Sequence, residues 1–194
     1  APIQDMVQKT NVEGLWIAPA TTDLSSADIE MAASERHSFL LHAALRQPAI
    51  MKFGFHYILI DCPPSLSILT VNAMVAAHSV LVPLQSEFYA LEGLSQLLLT
   101  VRDVRASANP ELRIEGVVLT MFDGRNNLSR QVEADARENL GKLIFHTVIP
   151  RNVRISEAPS FALPVLDYDS SSKGSRAYRA LAQELVSQQR SVAN

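Results

Sequence analysis

Short apolar segments of this chain alternate with longer segments in which apolar residues recur every three or four positions. The short segments predict strands, and several are continuous apolar runs of the kind found in strands covered on both faces. The six predicted strands are Leu15–Ala18, His56–Asp61, Ser79–Leu84, Ile114–Met121, Ile144–Ile149 and Val165–Tyr168.

The longer segments predict amphipathic helices between these strands. The predicted helices run from Ser25 toward Leu45, from Glu92 to Ser107, from Leu128 to Leu140 and from Ser175 to about Gln189. Ser25 and Asp28 have the spacing of a capping box, and Pro48 is expected to close the helix that they open. Gly141 follows the third helix where a C-terminal glycine cap belongs.

This succession of strands and helices predicts an α/β fold with a mostly parallel sheet and helices on both faces. Ligands of such sheets bind at the carboxyl ends of the strands. The candidate functional residues are therefore those that directly follow each predicted strand.

The composition fits a folded domain and narrows the classes of function. The 194 residues are 47% hydrophobic and 19% charged, with a formal charge of −3, which excludes a disordered chain. Cys62 is the single cysteine, so an intrachain disulfide is impossible and a reducing cytosol is expected. The acidic balance argues against a surface coated in basic charge. Between Met121 and Arg154, however, there are six Arg and Lys residues and only four Asp and Glu residues, a local excess of positive charge.

Asp61 carries the clearest chemical signal in the sequence. It ends a predicted hydrophobic strand and precedes a turn forced by Pro63 and Pro64. Folds that hydrolyse nucleotides use a carboxylate in this position to hold the water shell of Mg²⁺ or to orient a water near a phosphate. The alternative is an aspartate that caps the following turn or helix.

Three longer motifs give the sequence a specific resemblance. They run from Tyr57 to Ser65, from Gln85 to Gly93 and from Ile149 to Ser160. In this order and separation they resemble the ParA/Soj family of chromosome- and plasmid-partition ATPases, which are deviant-Walker P-loop proteins related to MinD. The resemblance extends from about Val12 to Val186.

The resemblance implies roles for nine residues. It implies a catalytic role and a water-mediated Mg²⁺ contact for Asp61, nucleotide contacts for Pro150, Arg151 and Asn152, DNA contacts for Arg125 and Arg154, and a dimer face at Glu87, Tyr89 and Glu92. Simpler interpretations stay open. The 150–152 segment also fits an ordinary turn, and Arg125 also fits an ion pair with Asp123. Glu87 and Glu92 also fit carboxylates favoured by the dipole at a helix N-terminus.

One departure from the family pattern changes the expected mechanism. Family members open with a strand and a K-G-G-x-G-K-[ST] loop that cradles phosphates, whereas the only Gly-Lys pair here, Gly141-Lys142, precedes Leu143. The sequence is therefore expected to be a single domain equivalent to the C-terminal two-thirds of a ParA-type ATPase, without the first strands. ATP and Mg²⁺ are expected to bind the complete protein, and neither is expected to bind tightly to this chain alone.

For the complete protein, the resemblance implies a partition ATPase that forms a homodimer with ATP and binds DNA without sequence preference. Its hydrolysis would be stimulated by a ParB-type centromere-binding partner. A cytoplasmic, nucleoid-associated protein without membrane contacts is expected. Two alternatives stay open: a truncated, non-enzymatic module that binds DNA or a partner, and a MinD-like positioning ATPase.

Overall fold

The computed structural model describes residues 2–21, 24 and 37–192. The chain forms two compact units. Unit 1 comprises Ala1–Ser79 and Leu99–Arg113, and unit 2 comprises Val80–Leu98 and Ile114–Asn194.

The described residues form short strands and helices of very different lengths. The strands are β1 (Gln8–Lys9), β2 (Trp16–Ile17), β3 (Ser79–Gln85) and β4 (Arg113–Thr120). The helices are α1 (Ile3–Met6), α2 (Leu40–Leu45), α3 (Pro48–Met51), α4 (Ile68–Ala76), α5 (Ala90–Ser107), α6 (Asn127–Leu140), α7 (Val153–Glu157), α8 (Val165–Tyr168) and α9 (Lys173–Val192). Single 3-10 turns occupy His37–Phe39, Gly141–Leu143 and Ala158–Phe161.

Parallel pairing organises the sheet around β4. β3 and β4 are hydrogen-bonded neighbours, and the bonds at their two ends advance along both strands in the same direction. The segment 144–150 joins the other edge of β4 through parallel bridges between Val117 and Ile144 and between Phe122 and Pro150. The predicted parallel arrangement is confirmed for these three segments, and β4 lies between the other two.

The side chains of β4 are buried on both faces of this sheet. Alternate side chains of a strand point to opposite faces, so Val117 and Leu119 enter one core and Val118 enters another. The first core contains Val82, Leu84, Leu94, Val117, Leu119, Ala136 and Ile144. The second contains Val118, Phe145, Ile149 and Leu181. Helices α5 and α6 therefore cover one face and α9 covers the other, and each fully buried Val or Leu stabilises unit 2 by about 1.5–3 kcal/mol.

A carboxylate from α9 binds the outer edge of the sheet. Glu184 accepts hydrogen bonds from the backbone N–H groups of His146, at 2.7 Å, and Thr147, at 2.9 Å. Burial alone would raise the pKa of Glu184, but hydrogen bonds from Thr147 and His146 outweigh it and lower that pKa. The ionised carboxylate thus satisfies edge N–H groups that a further strand would otherwise bind.

Three predicted helices are confirmed in α5, α6 and α9. The side chain of Asn126 accepts a hydrogen bond from the N–H of Leu128 and so caps α6. At the other end of α6, Gly141 has a φ of 52°, a left-handed conformation that glycine adopts at little cost. The sequence signals for these helices were therefore local ones: apolar residues at helical spacing in all three, and in α6 also a cap at each end.

Unit 1 contains a hairpin and several short helices, of which α2 packs against α4. β1 and β2 pair in an antiparallel sense, which confirms part of the strand predicted at Leu15–Ala18. The buried amide of Asn72 in α4 donates to the carbonyl of His37 at 2.8 Å and accepts from the N–H of Leu41 at 3.3 Å. This amide ties α4 to the chain that enters α2.

The helix expected before Leu45 is only partly described. Ser25 and Asp28, which form the predicted capping box, lie outside the described residues. The described part, α2, ends at Leu45 as expected. Pro48, however, does not close that helix, because it occupies the first turn of α3, where the missing N–H of proline costs no helical hydrogen bond.

Two strand predictions are wrong, and a third, Ile144–Ile149, is bridged to β4 only at Ile144 and forms no regular strand. The segment His56–Asp61 has no regular secondary structure, and Tyr57, Ile58 and Leu59 are exposed. An apolar run forms a strand only where a neighbour pairs with its backbone, and no strand within the described ranges pairs with this one. The segment Val165–Tyr168 is a helical turn, because the N–H groups of Asp167 and Tyr168 donate locally to the carbonyl of Pro164.

Among the described helices, none has both the length and the apolar composition needed to cross a membrane.

Candidate functional site

Loops that follow three neighbouring parallel segments of unit 2 meet at one edge of its sheet. Glu87 follows β3, Asp123 and Arg125 follow β4, and Arg151 follows the segment 144–150. This is the carboxyl edge, where ligands of parallel α/β sheets bind. The fold therefore brings together four charged side chains from three loops that are far apart in the sequence.

Backbone hydrogen bonds fix where these loops begin. The N–H and Oγ of Ser86 both donate to the carbonyl of Thr120, at 3.2 and 3.3 Å. The N–H of Phe122 donates to Ile149, and the N–H of Arg151 donates back to Phe122 at 2.9 Å. Each charged residue thus lies within a few positions of a fixed backbone anchor.

Asp123 and Arg125 form a bidentate ion pair. Nε and Nη2 of Arg125 each donate to a different carboxylate oxygen of Asp123 at 3.0 Å, and the N–H of Arg125 donates at 3.1 Å. Hydrogen bonds from the Arg125 side chain and backbone, and then the charges of Arg125 and Arg151, lower the pKa of Asp123 to about 2. The ion pair considered from the sequence is confirmed, although Arg125 remains 92% exposed.

Arg151 and Glu87 approach each other across the same edge. Nη2 of Arg151 lies 4.0 Å from Oε1 of Glu87, and both side chains are more than half exposed. Together with Asp123 and Arg125 they form a surface of alternating charge. The four charges sum to zero, so this surface has no net positive charge. Its two guanidinium groups are nevertheless available to an anionic ligand.

The predicted nucleotide segment 150–152 combines a sheet bridge with a helix cap. Pro150 bridges to Phe122, and Oδ1 of Asn152 accepts a hydrogen bond from the N–H of Arg154 at 3.0 Å, which caps α7. Gly174 makes room here, because a Cβ at that position would lie 2.5 Å from the side chain of Ile155. The segment therefore leads directly from the sheet into α7, with the side-chain oxygen of Asn152 fixed by the cap.

Arg154 is held by two carboxylates beside this turn. Its Nη1 lies 2.9 Å from Oε2 of Glu157, and its Nε lies 3.4 Å from Oδ2 of Asp169. The hydrogen bond and charge of Glu157, and then contact with Tyr168, raise the pKa of Arg154 further above its ordinary value. The guanidinium is half exposed, so solvent reaches it despite both partners.

The predicted dimer face includes an apolar ledge, formed by the side chains of Phe88 and Tyr89 in the turn before α5. Phe88 and Tyr89 are 72% and 74% exposed, and their rings pack edge to face with centroids 5.1 Å apart. They border an open depression of about 470 Å³ lined by Leu84, Gln85, Glu87, Phe88, Tyr89, Ala90 and Leu128. Glu92 lies exposed in the first turn of α5.

Asp61 belongs to unit 1 and is exposed in a segment without regular secondary structure. The expectation that it ends a buried strand is wrong, because the backbone before it has no pairing strand within the described ranges. Its neighbour Cys62 donates a weak hydrogen bond from Sγ to the carbonyl of Ile60 at 3.6 Å. Partial burial, and next the charge of Asp61, raise the pKa of the Cys62 thiol, which disfavours the reactive thiolate.

The described residues fit Mg²⁺ only if water and substrate phosphates supply most of its ligands. Across residues 2–21, 24 and 37–192, no group of three His, Cys, Asp or Glu side chains is placed to hold a metal ion. Mg²⁺ usually keeps several waters and uses one or two carboxylates with substrate phosphates. A single exposed carboxylate such as Asp61 fits that mode.

Sequence reasoning missed the two carboxylates that hold Arg154. Glu157 lies three residues after Arg154, a spacing at which helical side chains meet, so the sequence did contain that signal. Asp169 lies in the turn after α8 and reaches Arg154 through the folding of α7 and α8 against each other. No local pattern could have indicated that contact.

The ion pair at Asp123 predicts a distinctive titration. We expect the Asp123 carboxyl to titrate near pH 2 and, in Arg125→Ala, near its ordinary value of 3.8. Because the pKa is lowered in the folded state, the pair stabilises the fold above about pH 4, and this stabilisation is lost as the pH falls toward 2. Carboxyl ¹³C NMR shifts measure the pKa directly.

Arg102→Ala is the control, because Arg102 is an exposed arginine paired with another aspartate, Asp103. It should leave the titration of Asp123 unchanged. A pKa for Asp123 that is the same in wild type and Arg125→Ala would contradict the assigned cause.

Comparison with known proteins identifies the family. A family model described as an AAA domain matches residues 1–114. The chain is 54% identical to the chromosome partitioning protein ParA of Caulobacter vibrioides over 191 residues, which cover 98% of this chain and 71% of that protein. It is 47% identical to the sporulation initiation inhibitor protein Soj of Bacillus subtilis, with 96% of this chain and 72% of Soj covered.

A solved structure supports the same fold. Cobyrinic acid a,c-diamide synthase from Mycobacterium smegmatis, crystallised with ADP and magnesium, is 33% identical and superposes with a TM-score of 0.79. The match covers 98% of this chain and 69% of that one. The fold is therefore the α/β fold of P-loop NTPases, and with relatives this similar along almost its whole length the chain belongs to the ParA/Soj family of chromosome-partitioning ATPases.

Proposed function

We propose that the complete protein is a nucleotide-switched partition ATPase. It binds ATP with Mg²⁺, dimerises, binds DNA without sequence preference and hydrolyses ATP when a ParB-type partner stimulates it. The observation that carries this proposal is the convergence of Glu87, Arg125 and Arg151 on the carboxyl edge of the sheet. That edge is the ligand-binding side of parallel α/β folds.

Pro150, Arg151 and Asn152 contact the adenine and ribose in this proposal. The apolar ring of Pro150 suits the face of a base, and the exposed guanidinium of Arg151 supplies donors for ribose or phosphate oxygens. The oxygen of the Asn152 amide caps α7, which leaves its NH₂ group outside that hydrogen bond. The cap supports a nucleotide role because it fixes the orientation of the amide.

Asp61 acts at the phosphates. When bound, Mg²⁺ neutralises charge on the phosphate oxygens, and Asp61 holds a water of its shell or orients the attacking water. The carboxylate of Asp61 is exposed, so it reaches such waters without a desolvation cost.

Glu87, Tyr89 and Glu92 form the face for a second copy of the chain. Phe88 and Tyr89 expose large aromatic surfaces on a short turn, an arrangement that is costly in water and favourable in an interface. The carboxylates of Glu87 and Glu92 flank this ledge and suit the polar rim of an interface.

Truncation of Tyr89 tests the dimer face. Because Tyr89 is exposed and packs edge to face on Phe88, Tyr89→Ala should leave the fold intact and weaken ATP-dependent dimerisation by about tenfold. Sedimentation velocity with and without ATP measures the change. Met51→Ala, which also removes an exposed apolar side chain, is the control, and equal dimerisation by wild type and Tyr89→Ala would remove Tyr89 from the interface.

Arg125 and Arg154 contact DNA through its phosphates. Both guanidinium groups lie on loops or short helices outside the sheet and are open to solvent. Arginine in such positions binds backbone phosphate without reading bases, which suits binding that ignores sequence.

Phosphate release by the complete protein tests the proposed activity. We expect slow turnover with ATP and Mg²⁺ alone, and a marked increase when random-sequence DNA and a ParB-type protein are both present. Turnover at the uncatalysed background under both conditions would contradict the proposal and favour a non-enzymatic module.

A further inference from the structure

The side chain of Arg154 is enclosed by carboxylates from two different elements. Glu157 belongs to the same helix, α7, and accepts from Nη1 at 2.9 Å, whereas Asp169 follows α8 and lies 3.4 Å from Nε. The three side chains together carry one net negative charge. A phosphate that approaches Arg154 therefore meets two carboxylates, one hydrogen-bonded to Nη1 and the other in an ion pair beside Nε.

Both carboxylates are held in place by other groups. The hydroxyl of Tyr168 donates to Oε2 of Glu157 at 3.3 Å, and the Tyr168 ring stacks on Phe161 with centroids 4.9 Å apart. Oδ1 of Asp169 accepts from the N–H and Oγ of Ser171, at 3.2 and 3.0 Å. These contacts leave Oδ2 of Asp169 directed at Arg154. Each of the two carboxylates beside the guanidinium is therefore fixed by a hydrogen bond to a further residue.

Arg125 provides a contrast within the same unit. It pairs with one carboxylate, that of Asp123, and its side chain is 92% exposed, against 52% for Arg154. A phosphate can approach Arg125 from solvent and displace a single partner. To bind Arg154 in the same way, a phosphate must displace two partners that are ordered by Tyr168 and Ser171.

We propose that Glu157 and Asp169 form an acidic clamp that competes with DNA phosphate for Arg154 and so sets the DNA affinity of this surface. This inference rests on the proposed DNA contact of Arg154. In the closed clamp, Arg154 contributes little to DNA binding. When the clamp opens, the guanidinium binds a phosphate and releases a counterion from the DNA.

Neutralising the clamp should increase the affinity for DNA. Glu157→Gln and Asp169→Asn keep the shape of each side chain and remove its charge. Each should tighten binding to random-sequence DNA about threefold more than the control, the size expected for a partly exposed ion pair. Fluorescence anisotropy of the complete protein with ATP and Mg²⁺ at several salt concentrations gives both the Kd and its salt dependence.

Asp167→Asn is the matched control. Asp167 lies on α8, two residues from Asp169, and is exposed. It therefore reports the effect of removing one negative charge near the DNA surface without touching Arg154. The clamp variants should also steepen the dependence of log Kd on log salt by up to about one unit relative to this control, because one more phosphate is bound.

A double-mutant cycle with Arg154→Ala separates the clamp from the DNA contact itself. In the Arg154→Ala background, Glu157→Gln should have no more effect than Asp167→Asn, since the clamp acts through Arg154. Clamp variants that match Asp167→Asn in the wild-type background, while Arg154→Ala weakens binding, would overturn the clamp alone. DNA binding that Arg154→Ala leaves unchanged even in the Glu157→Gln background, where the clamp is open, would overturn the proposed contact and the clamp with it.

Discussion

Replacing both Arg125 and Arg154 with glutamate is expected to weaken non-specific DNA binding by an order of magnitude or more. Each replacement removes a guanidinium that neutralises a phosphate and adds a charge that repels the DNA backbone. The slope of log Kd against log salt should also fall by about one unit for each phosphate that the protein no longer neutralises. Because both arginines are at least half exposed and their partners lie at the surface, the fold should tolerate the change.

Arg102→Glu distinguishes a local contact from a general change in charge. Arg102 is exposed and pairs with the adjacent Asp103, as Arg125 pairs with Asp123. It should therefore change DNA affinity much less than either of the two replacements at Arg125 and Arg154. A salt slope that does not change in the Arg125→Glu, Arg154→Glu variant would show that both arginines are ordinary surface residues.

Asp61→Ala is expected to abolish the stimulated ATP turnover of the complete protein. A carboxylate that orients the attacking water or the shell of Mg²⁺ contributes about a hundredfold or more to the rate. ATP binding should change much less, because the phosphates and the base have other contacts in the proposed site. Phosphate release in the presence of DNA and a ParB-type protein measures the change in turnover, and calorimetry measures ATP binding.

Cys62→Ser is the control for this experiment. It alters the neighbouring side chain by one atom and leaves the charge of Asp61 in place, so turnover should stay near the wild-type rate. Phosphate release by Asp61→Ala at the wild-type rate would remove Asp61 from the mechanism, and the exposed carboxylate would then be a solvated loop residue.

The parts of the fold that depend on local signals were predictable from the sequence. β3 and β4 follow from continuous apolar runs, and α6 follows from apolar residues at helical spacing that end at Gly141. The parallel arrangement also follows, because strands separated by helices need crossover connections. α4 was missed, although Ser67, whose side chain accepts from the N–H of Leu69, is an N-cap before an apolar run.

The parts that depend on distant partners were not predictable. The segment His56–Asp61 has a strand-like composition, yet its secondary structure is decided by what pairs with its backbone, which composition does not contain. The strand prediction for Val165–Tyr168 failed for a similar reason. There Pro164 starts a local turn whose hydrogen bonds satisfy the backbone without a neighbouring strand.

The candidate site, too, was only partly predictable from the sequence. The positions of Glu87, Arg125 and Arg151 were predictable, because residues after parallel strands converge at one edge of the sheet. The position of Asp61 was not, because the segment before it forms no strand. The electrostatics of the site were only partly predictable. The pair of Arg125 with Asp123 is local in sequence, whereas the contact of Arg154 with Asp169 depends on how α7 and α8 pack.

The proposal that nucleotide controls DNA binding can be tested by one comparison. The binding of the complete protein to random-sequence DNA is measured by fluorescence anisotropy with Mg²⁺ and either ATP or ADP, at several salt concentrations. Our account predicts tight, strongly salt-dependent binding with ATP and weak binding with ADP. Equal affinity with the two nucleotides would contradict it, because the carboxyl edge of the sheet would then have no role as a switch.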